Sequence, residues 1–194
     1  LKRSFDIFFS IFLLLIIFPI ILLSWIAASI DTKMNGLYIQ NRIGRYGASF
    51  KVYKIRTMRP NSLLKTSITT INDSRITSLG SFMRLTKIDE FPQLLNIVKG
   101  EMSFVGPRPD VKGFADLLEG DDRVILSIRP GITGPASIKY RNEEQILANC
   151  IDAEAYNRKV IWPDKVKINR EYIKAYQFAK DIKYIAITIV GPKT

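Results

Sequence analysis

Residues Ile7 to Ile30 carry no charged side chain, and Pro19 stands near the middle of that run. About 20 consecutive apolar residues are enough to cross the hydrocarbon core of a bilayer as a helix, so length alone marks this stretch as a membrane segment. Pro19 argues against a simple span, because it lacks a backbone N–H and clashes with the carbonyl four residues back, which kinks or breaks a helix. The flanks carry the topology. Lys2 and Arg3 precede the run, and Lys33, Arg42, Arg45, Lys51, Lys54, Arg56 and Arg59 follow it, with Asp31 the one acid among them. Basic residues beside a membrane segment favour the cytoplasmic side, and here both ends ask for it. A helix that bends at Pro19 and returns to the face it entered meets both demands. A re-entrant hairpin over 1–30 is therefore expected ahead of a straight span, with a single cytoplasmic domain over 31–194. A cleavable signal fits poorly, since the run is too long for one and Ala27-Ala28-Ser29 is a weak cleavage site. A buried core helix also fits poorly, because a small domain cannot cover a stretch that is apolar all round.

The chain has 194 residues and a net charge of +11, from 29 basic against 18 acidic side chains. Such an excess suits an anionic leaflet, a nucleic acid or a phosphate-rich substrate, and charge alone does not separate them. The single cysteine, Cys150, excludes an intrachain disulfide and fits a reducing compartment; its partly apolar helical surroundings favour a packed thiol over a nucleophile. There is no histidine. Ser-His-Asp and Cys-His catalysis and His-containing zinc sites are thereby removed, leaving carboxylates, lysines, arginines, hydroxyls or a hard metal ion.

Short strands followed by many helices point to a small, helix-rich α+β domain. Leu37–Arg42 and Ser49–Arg56 read as two strands joined by a turn at Gly44–Gly47. Residues 59–75 are polar and turn-rich and read as a mobile loop. Helices are expected over Leu79–Leu85, over Asp89–Lys99 closed by Gly100, and over Asp110–Glu119. Phe104–Pro109 must be extended or turning, because its two prolines forbid helix. Arg129 to Pro135 reads as turn, Ser137–Tyr140 as a short strand, and 142–158, 163–179 and 181–190 as helices. Ile182–Val190 is apolar with basic flanks, and reads either as a helix packed on the domain or as one lying in the membrane interface.

Two motifs stand out chemically. Asp89-Glu90 before Pro92 suits a helix start, where Asp caps and Glu complements the dipole. The same placement holds an ionised carboxylate that can attack phosphorus or ligate Mg²⁺, which prefers one or two carboxylates plus substrate phosphates. In Gly106-Pro107-Arg108-Pro109 the prolines stiffen the backbone around one arginine, whose planar fork matches a phosphate; a rigid loop with a solvated arginine reads equally well. Lys54, Arg56, Arg84, Arg129 and Arg141 lie beside turns or element ends. Each alone reads as a surface charge, and together around two carboxylates they would make a diphosphate cradle. Tyr53, Tyr140 and Trp162 could stack on a nucleobase or simply pack.

Several motifs in order carry a resemblance that spacing does not. They are Lys2-Arg3…Asp6, Gln40-Asn41-Arg42-Ile43-Gly44, Phe50 through Met58, Arg84 through Asp89-Glu90-Phe91-Pro92-Gln93-Leu94-Leu95-Asn96, Lys99 through Pro109, and Arg129-Pro130-Gly131-Ile132-Thr133-Gly134. With these, nearly the whole chain resembles the monotopic phosphoglycosyl transferases, bacterial sugar transferases that start glycan assembly on polyprenyl phosphate. The resemblance implies that Asp89 attacks the sugar-bearing phosphate of a UDP-sugar, releases UMP and holds the phosphosugar covalently. Undecaprenyl or another polyprenyl phosphate then takes it up. It implies Glu90 as a general base or supporting partner, Mg²⁺ against Asp89, and Arg108 on a phosphate, with matching basic positions at Lys54, Arg56, Arg84 and Arg129. It implies the cytoplasmic face of the bacterial inner membrane, and a re-entrant helix broken at a Ser-Pro pair. This sequence has Phe18 before Pro19, Pro135 where a tryptophan is common, and Glu101 for a frequent Asp. None of these touches the dyad, though they bear on the choice of sugar.

Two other readings compete. A Mg²⁺-dependent membrane phosphatase or diphosphatase would use the same acyl phosphate with water as acceptor. A membrane-tethered nucleic-acid-binding module would need only the charge, but the cations are scattered among turns and no nucleic-acid motif is present, so no nucleic-acid partner is expected.

Overall fold

The computed structural model describes residues 1–60 and 73–191. Its helix-rich α+β architecture is the one the element pattern suggested. The first element, α1, runs from Lys2 to Thr32 as one helix of 31 residues that continues through Pro19, about 46 Å long at 1.5 Å per residue. It is the one helix among the described residues long and apolar enough to cross a membrane. The expected break at Pro19 does not divide it into two arms. Ser10 Oγ bonds back to the Asp6 carbonyl at 2.6 Å, and neither Ser10 nor Ser24 reaches the Leu15 carbonyl that Pro19 leaves open.

Helix α1 lies lengthwise on the domain. Its buried residues, Asp6, Ser10, Ser24, Ala28 and Thr32, recur on one face with the half-buried Leu13, Leu14, Ile17 and Ile21 between them. Both ends are tied down. Near the start, Lys2 Nζ donates to the Val105 carbonyl at 2.9 Å and pairs with Asp181, and Asp6 accepts from the Phe104 N–H at 3.2 Å. Near the finish, Ser29 Oγ accepts from the Gly36 N–H at 2.8 Å, and Arg59 donates to the Asp31 carbonyl at 3.0 Å. The opposite face, including Phe8, Phe12, Leu15, Ile16, Phe18, Leu23 and Ile30, is exposed.

Strands β1 (Leu37–Ile43) and β2 (Ser49–Ile55) form an antiparallel hairpin in the register Gln40↔Val52, within a residue of the expected bounds. Val52 of β2 packs with Leu94, Ile97 and Met102 against Leu13, Leu14 and Ile17 of α1. Helix α2 (Ser78–Leu85) is capped by Thr77, whose side chain accepts from the Gly80 N–H, and its Met83 joins Ala28 and Ile55 in a second cluster. The loop expected over 59–75 lies for its greater part, 61–72, outside the described residues.

Three expectations between residues 89 and 140 fail for physical reasons. The helix at Asp89–Lys99 begins only at Gln93 as α3 (Gln93–Lys99), and Asp89 and Glu90 lie in a preceding 3₁₀ turn, Ile88–Glu90. Pro92 has no N–H to donate into an α-turn there, so the bonds run three residues back, from Phe91 to Ile88 and from Leu94 to Phe91. Asp110–Glu119 holds only a 3₁₀ turn at Ala115–Leu117, after Gly113 at φ 100° has turned the chain. The strand expected at Ser137–Tyr140 is instead helix α4 (Pro135–Lys139), with Pro135 in the first turn, where proline is favoured. The strand comes earlier: β4 (Gly131–Thr133) pairs in parallel with β3 (Ser103–Val105).

The C-terminal third is α5 (Glu143–Ala148), α6 (Ala153–Tyr156), a π-turn at Asn157–Ile161, α7 (Trp162–Lys174) and α8 (Phe178–Val190). The expected helix over 142–158 is thus interrupted between α5 and α6. There Cys150 is half-buried, with Sγ on the Ile146 carbonyl at 3.3 Å. Helix α8 buries Asp181 and bonds Thr188 to Thr133 of β4, while Ile182, Ile189 and Val190 are exposed. One face is therefore docked and the other is bare.

Candidate active site

Three segments meet at the dyad. The 3₁₀ turn places Asp89 and Glu90, both buried, immediately before α3. Lys87 enters that turn in the left-handed region at φ 60°, a conformation few non-glycine residues adopt. Strand β2 contributes Lys54. The Gly106–Pro109 loop contributes Arg108, and its backbone is held at four points. The Gly106 N–H donates to Thr133 at 2.9 Å, the Pro107 carbonyl accepts from Gly131 at 2.8 Å, and the Asp110 carbonyl accepts from Ile43 at 2.8 Å. The Pro109 carbonyl accepts from Arg42 at 3.3 Å. Gly106 is required by proximity, since a Cβ there would lie 2.5 Å from the Arg129 carbonyl.

Glu90 is the hub of the charges. Its Oε1 accepts from Arg108 at 2.6 Å and from Lys54 at 3.3 Å. Burial pushes the Glu90 carboxyl up, but the Arg108 and Lys54 charges outweigh it and hold the group well below the usual carboxylate range. Arg108 is in turn pushed above its ordinary value, chiefly by Glu90. Burial lowers Lys54, with Glu90 opposing. Asp89 is different: burial, then the neighbouring Glu90 charge, raise its pKa, with Lys54, Arg84 and Lys87 pulling the other way. Its carboxylate makes no hydrogen bond among the described residues, and Oδ1 is buried without a partner. A carboxylate so placed is an available nucleophile or ligand, because no protein cation neutralises it directly.

The basic residues singled out from sequence divide. Lys54 and Arg108 reach the dyad. Arg84 acts on Asp89 through space but is ion-paired with Glu144. Arg56 turns away, donating to the Asn35 carbonyl at 2.7 Å and lying over the Tyr38 ring. Arg129 donates to the Gly100 carbonyl at 2.7 Å, at the far end of α3. Arg141 lines an open groove of about 490 Å³ with Asn142, Gln145 and Asn149. The aromatic candidates are engaged elsewhere: Tyr53 accepts from Lys99, Tyr140 donates to Asp164, and Trp162 packs on Phe114. Reading the sequence missed Arg42 and Lys87. Arg42 was visible inside a motif, whereas nothing in the sequence signals the left-handed turn that brings Lys87 beside the dyad.

The model for the bacterial sugar transferase family matches residues 1–191. The chain belongs to that family. It is 38% identical over 159 residues to an undecaprenyl-phosphate galactose phosphotransferase of Salmonella typhimurium, covering 74% of this chain and 33% of that protein. It is 33% identical over 196 residues to the UDP-glucose:undecaprenyl-phosphate glucose-1-phosphate transferase of Escherichia coli, covering 97% and 39%. The exopolysaccharide production protein ExoY of Sinorhizobium fredii is 31% identical over 204 residues, covering 97% and 83%. The chain thus spans about a third of the first relative, about two fifths of the second and most of the third.

Proposed function

We propose that the protein transfers a sugar 1-phosphate from a UDP-sugar to undecaprenyl or another polyprenyl phosphate through a covalent intermediate on Asp89, releasing UMP. The observation that carries this reading is the unpaired Asp89 carboxylate beside a Glu90 that holds two cations. In the first step an Asp89 oxygen forms a bond to the sugar-bearing phosphorus, and the bond to the bridging oxygen breaks, with the electron pair leaving on UMP. In the second, a phosphate oxygen of the lipid attacks the same phosphorus and the Asp89 carboxylate leaves. Both nucleophiles, a carboxylate and a lipid phosphate, attack as anions, and neither step needs a histidine. Glu90, held ionised by two cations, is a poor proton acceptor and serves to position Arg108 and Lys54, whose charges then offset those of the diphosphate.

A Mg²⁺ fits this donor set. No cluster of three metal-ligating side chains occurs among the described residues, but one open carboxylate completed by substrate phosphates and water is what the ion prefers. Asp89 would hold it, and it would supply charge neutralisation at the transferring phosphate.

Both ends of α1 bond to the same domain, and this supports a helix held along one side of the membrane. A straight span would carry part of the domain through the bilayer. With the bare faces of α1 and α8 directed into lipid, the domain rests on the cytoplasmic face of the bacterial inner membrane, where a lipid phosphate resides.

The test is mass spectrometry after incubation with Mg²⁺ and a panel of UDP-sugars alone, followed by addition of undecaprenyl phosphate. A phosphosugar adduct on Asp89, discharged by the lipid and absent from Asp89→Asn, is expected, with turnover reduced at least 1,000-fold in that variant. Continuous UMP release without lipid, or parental turnover in Asp89→Asn, overturns the reading.

A further inference from the structure

Four buried side-chain atoms have no hydrogen-bond partner among the described residues, and two of them, Asp89 Oδ1 and Gln93 Nε2, fall within one stretch of five residues. Gln93 is only 2% exposed. A buried donor left unmade costs about 1–3 kcal/mol, and nearly all such groups in folded proteins find a partner. The contrast with Asn96, less than one turn further along α3, sharpens the point. That amide is fully used: Nδ2 donates to the Lys51 carbonyl and to Glu101, each at 2.7 Å, and Oδ1 accepts from the Tyr53 N–H at 3.2 Å. Of two buried amides on one short helix, the inner one is spent on structure and the one beside the dyad keeps its donor open.

An Nε2 group can only donate, so its missing partner is an acceptor. Gln93 opens the helix into which the turn bearing Asp89 and Glu90 leads, four residues after the one and three after the other. We infer that Gln93 is a further catalytic residue: its amide donates to a non-bridging oxygen of the phosphate that Asp89 attacks. A neutral donor suits this position. An arginine or lysine there would pair with Asp89 and quench the nucleophile, whereas an amide stabilises charge growing on the phosphate and leaves the carboxylate free. No proton is transferred, and the bond changes are those already given for the first step. The inference rests on the covalent reading above.

The test compares the parental protein with Gln93→Met, which keeps bulk without a donor, and Gln93→Glu, which keeps shape and places an acceptor there. Adduct formation is followed in single turnover with Mg²⁺ and UDP-sugar alone. Loss of one such donor lowers the chemical rate about 100-fold, with the final adduct amplitude and the KM for donor near parental in the Met variant and a larger drop in rate for Glu. A parental adduct rate in either variant, or a loss of amplitude at parental rate, marks a packing role and overturns the inference while leaving Asp89 chemistry intact. Absence of adduct in the parental protein itself removes the covalent reading and this inference together.

Discussion

The two ends of α3 are built to opposite specifications. At the C-terminal end the carbonyls of Asn96, Ile97, Val98 and Gly100 all have donors. Arg3 reaches across from α1 to the carbonyls of Ile97 at 2.8 Å and Val98 at 3.1 Å, Arg129 takes that of Gly100, and Gly100 itself closes the helix at φ 88°. Cations there also complement the helix dipole. At the N-terminal end the chain enters through a left-handed lysine, runs through a 3₁₀ turn and leaves two buried polar atoms unmatched. Seven residues separate a saturated terminus from an unsaturated one. The difference teaches that the helix is secured from its far end, so that the near end can keep open valences for a ligand.

Substitutions at the two ends should therefore part activity from stability. After Asp89, the largest effect belongs to Arg108. Its replacement by alanine should lower kcat/KM about 100-fold, and Arg108→Lys, which keeps charge but not the planar fork, about tenfold, with the melting temperature near parental in the Lys variant, where Glu90 keeps its counter-charge; steady-state UMP release checks both. Arg3→Ala should do the reverse. Removing a guanidinium from two helix-terminal carbonyls costs about 1–2 kcal/mol, which lowers the melting temperature in detergent by about 4 °C, while the rate per folded molecule stays parental. A drop in kcat without a drop in stability would erase the contrast between the ends.

The smallest effect on activity, with one on stability that depends on pH, concerns Asp110, beyond Arg108 on the same loop. Burial, partly offset by Lys165, Arg42 and Arg108 and reinforced by Glu143, raises its carboxyl to about 6 from 3.8. A raised carboxyl adds stability that is complete below its unfolded value and is lost as pH rises through the folded one. The parental melting temperature should then fall by about 6 °C between pH 4 and pH 7 more than that of Asp110→Asn. Parallel pH profiles for the two proteins would show that the site end stores no such conflict.

Much of this was legible in the residues. The β1–β2 hairpin followed from its alternation and the glycine turn, the dyad and Arg108 from motifs, and the stiffness of the Arg108 loop from its prolines. The rest depended on contacts that sequence order hides. Arg129 looks like any basic residue beside a turn, and only the parallel pairing of β3 with β4 carries it to Gly100 as a cap. Arg56 is two residues from Lys54 on one strand, yet it bonds the chain that leaves α1. Pro92 was read as a tolerated first-turn residue, but its missing N–H displaces the helix start by four residues and puts Asp89 in a tighter turn. Three short elements near residues 110–140 were misread because Gly113 and Pro135 act through backbone geometry rather than through hydrophobic period.

Helix α1 is a keel and not a removable tether. Its inner stripe bears Lys2, Arg3, Asp6 and Ser10 as well as the leucines that touch Leu94 and Ile97, so under the proposed membrane placement the height of the dyad above the hydrocarbon would be set by side chains on the keel itself. A generic apolar helix grafted in its place would leave the Phe104 amide and the Val98 carbonyl without their partners. The exposed stripe and the docked one are in this sense drawn from one ruler, graduated at every third or fourth residue.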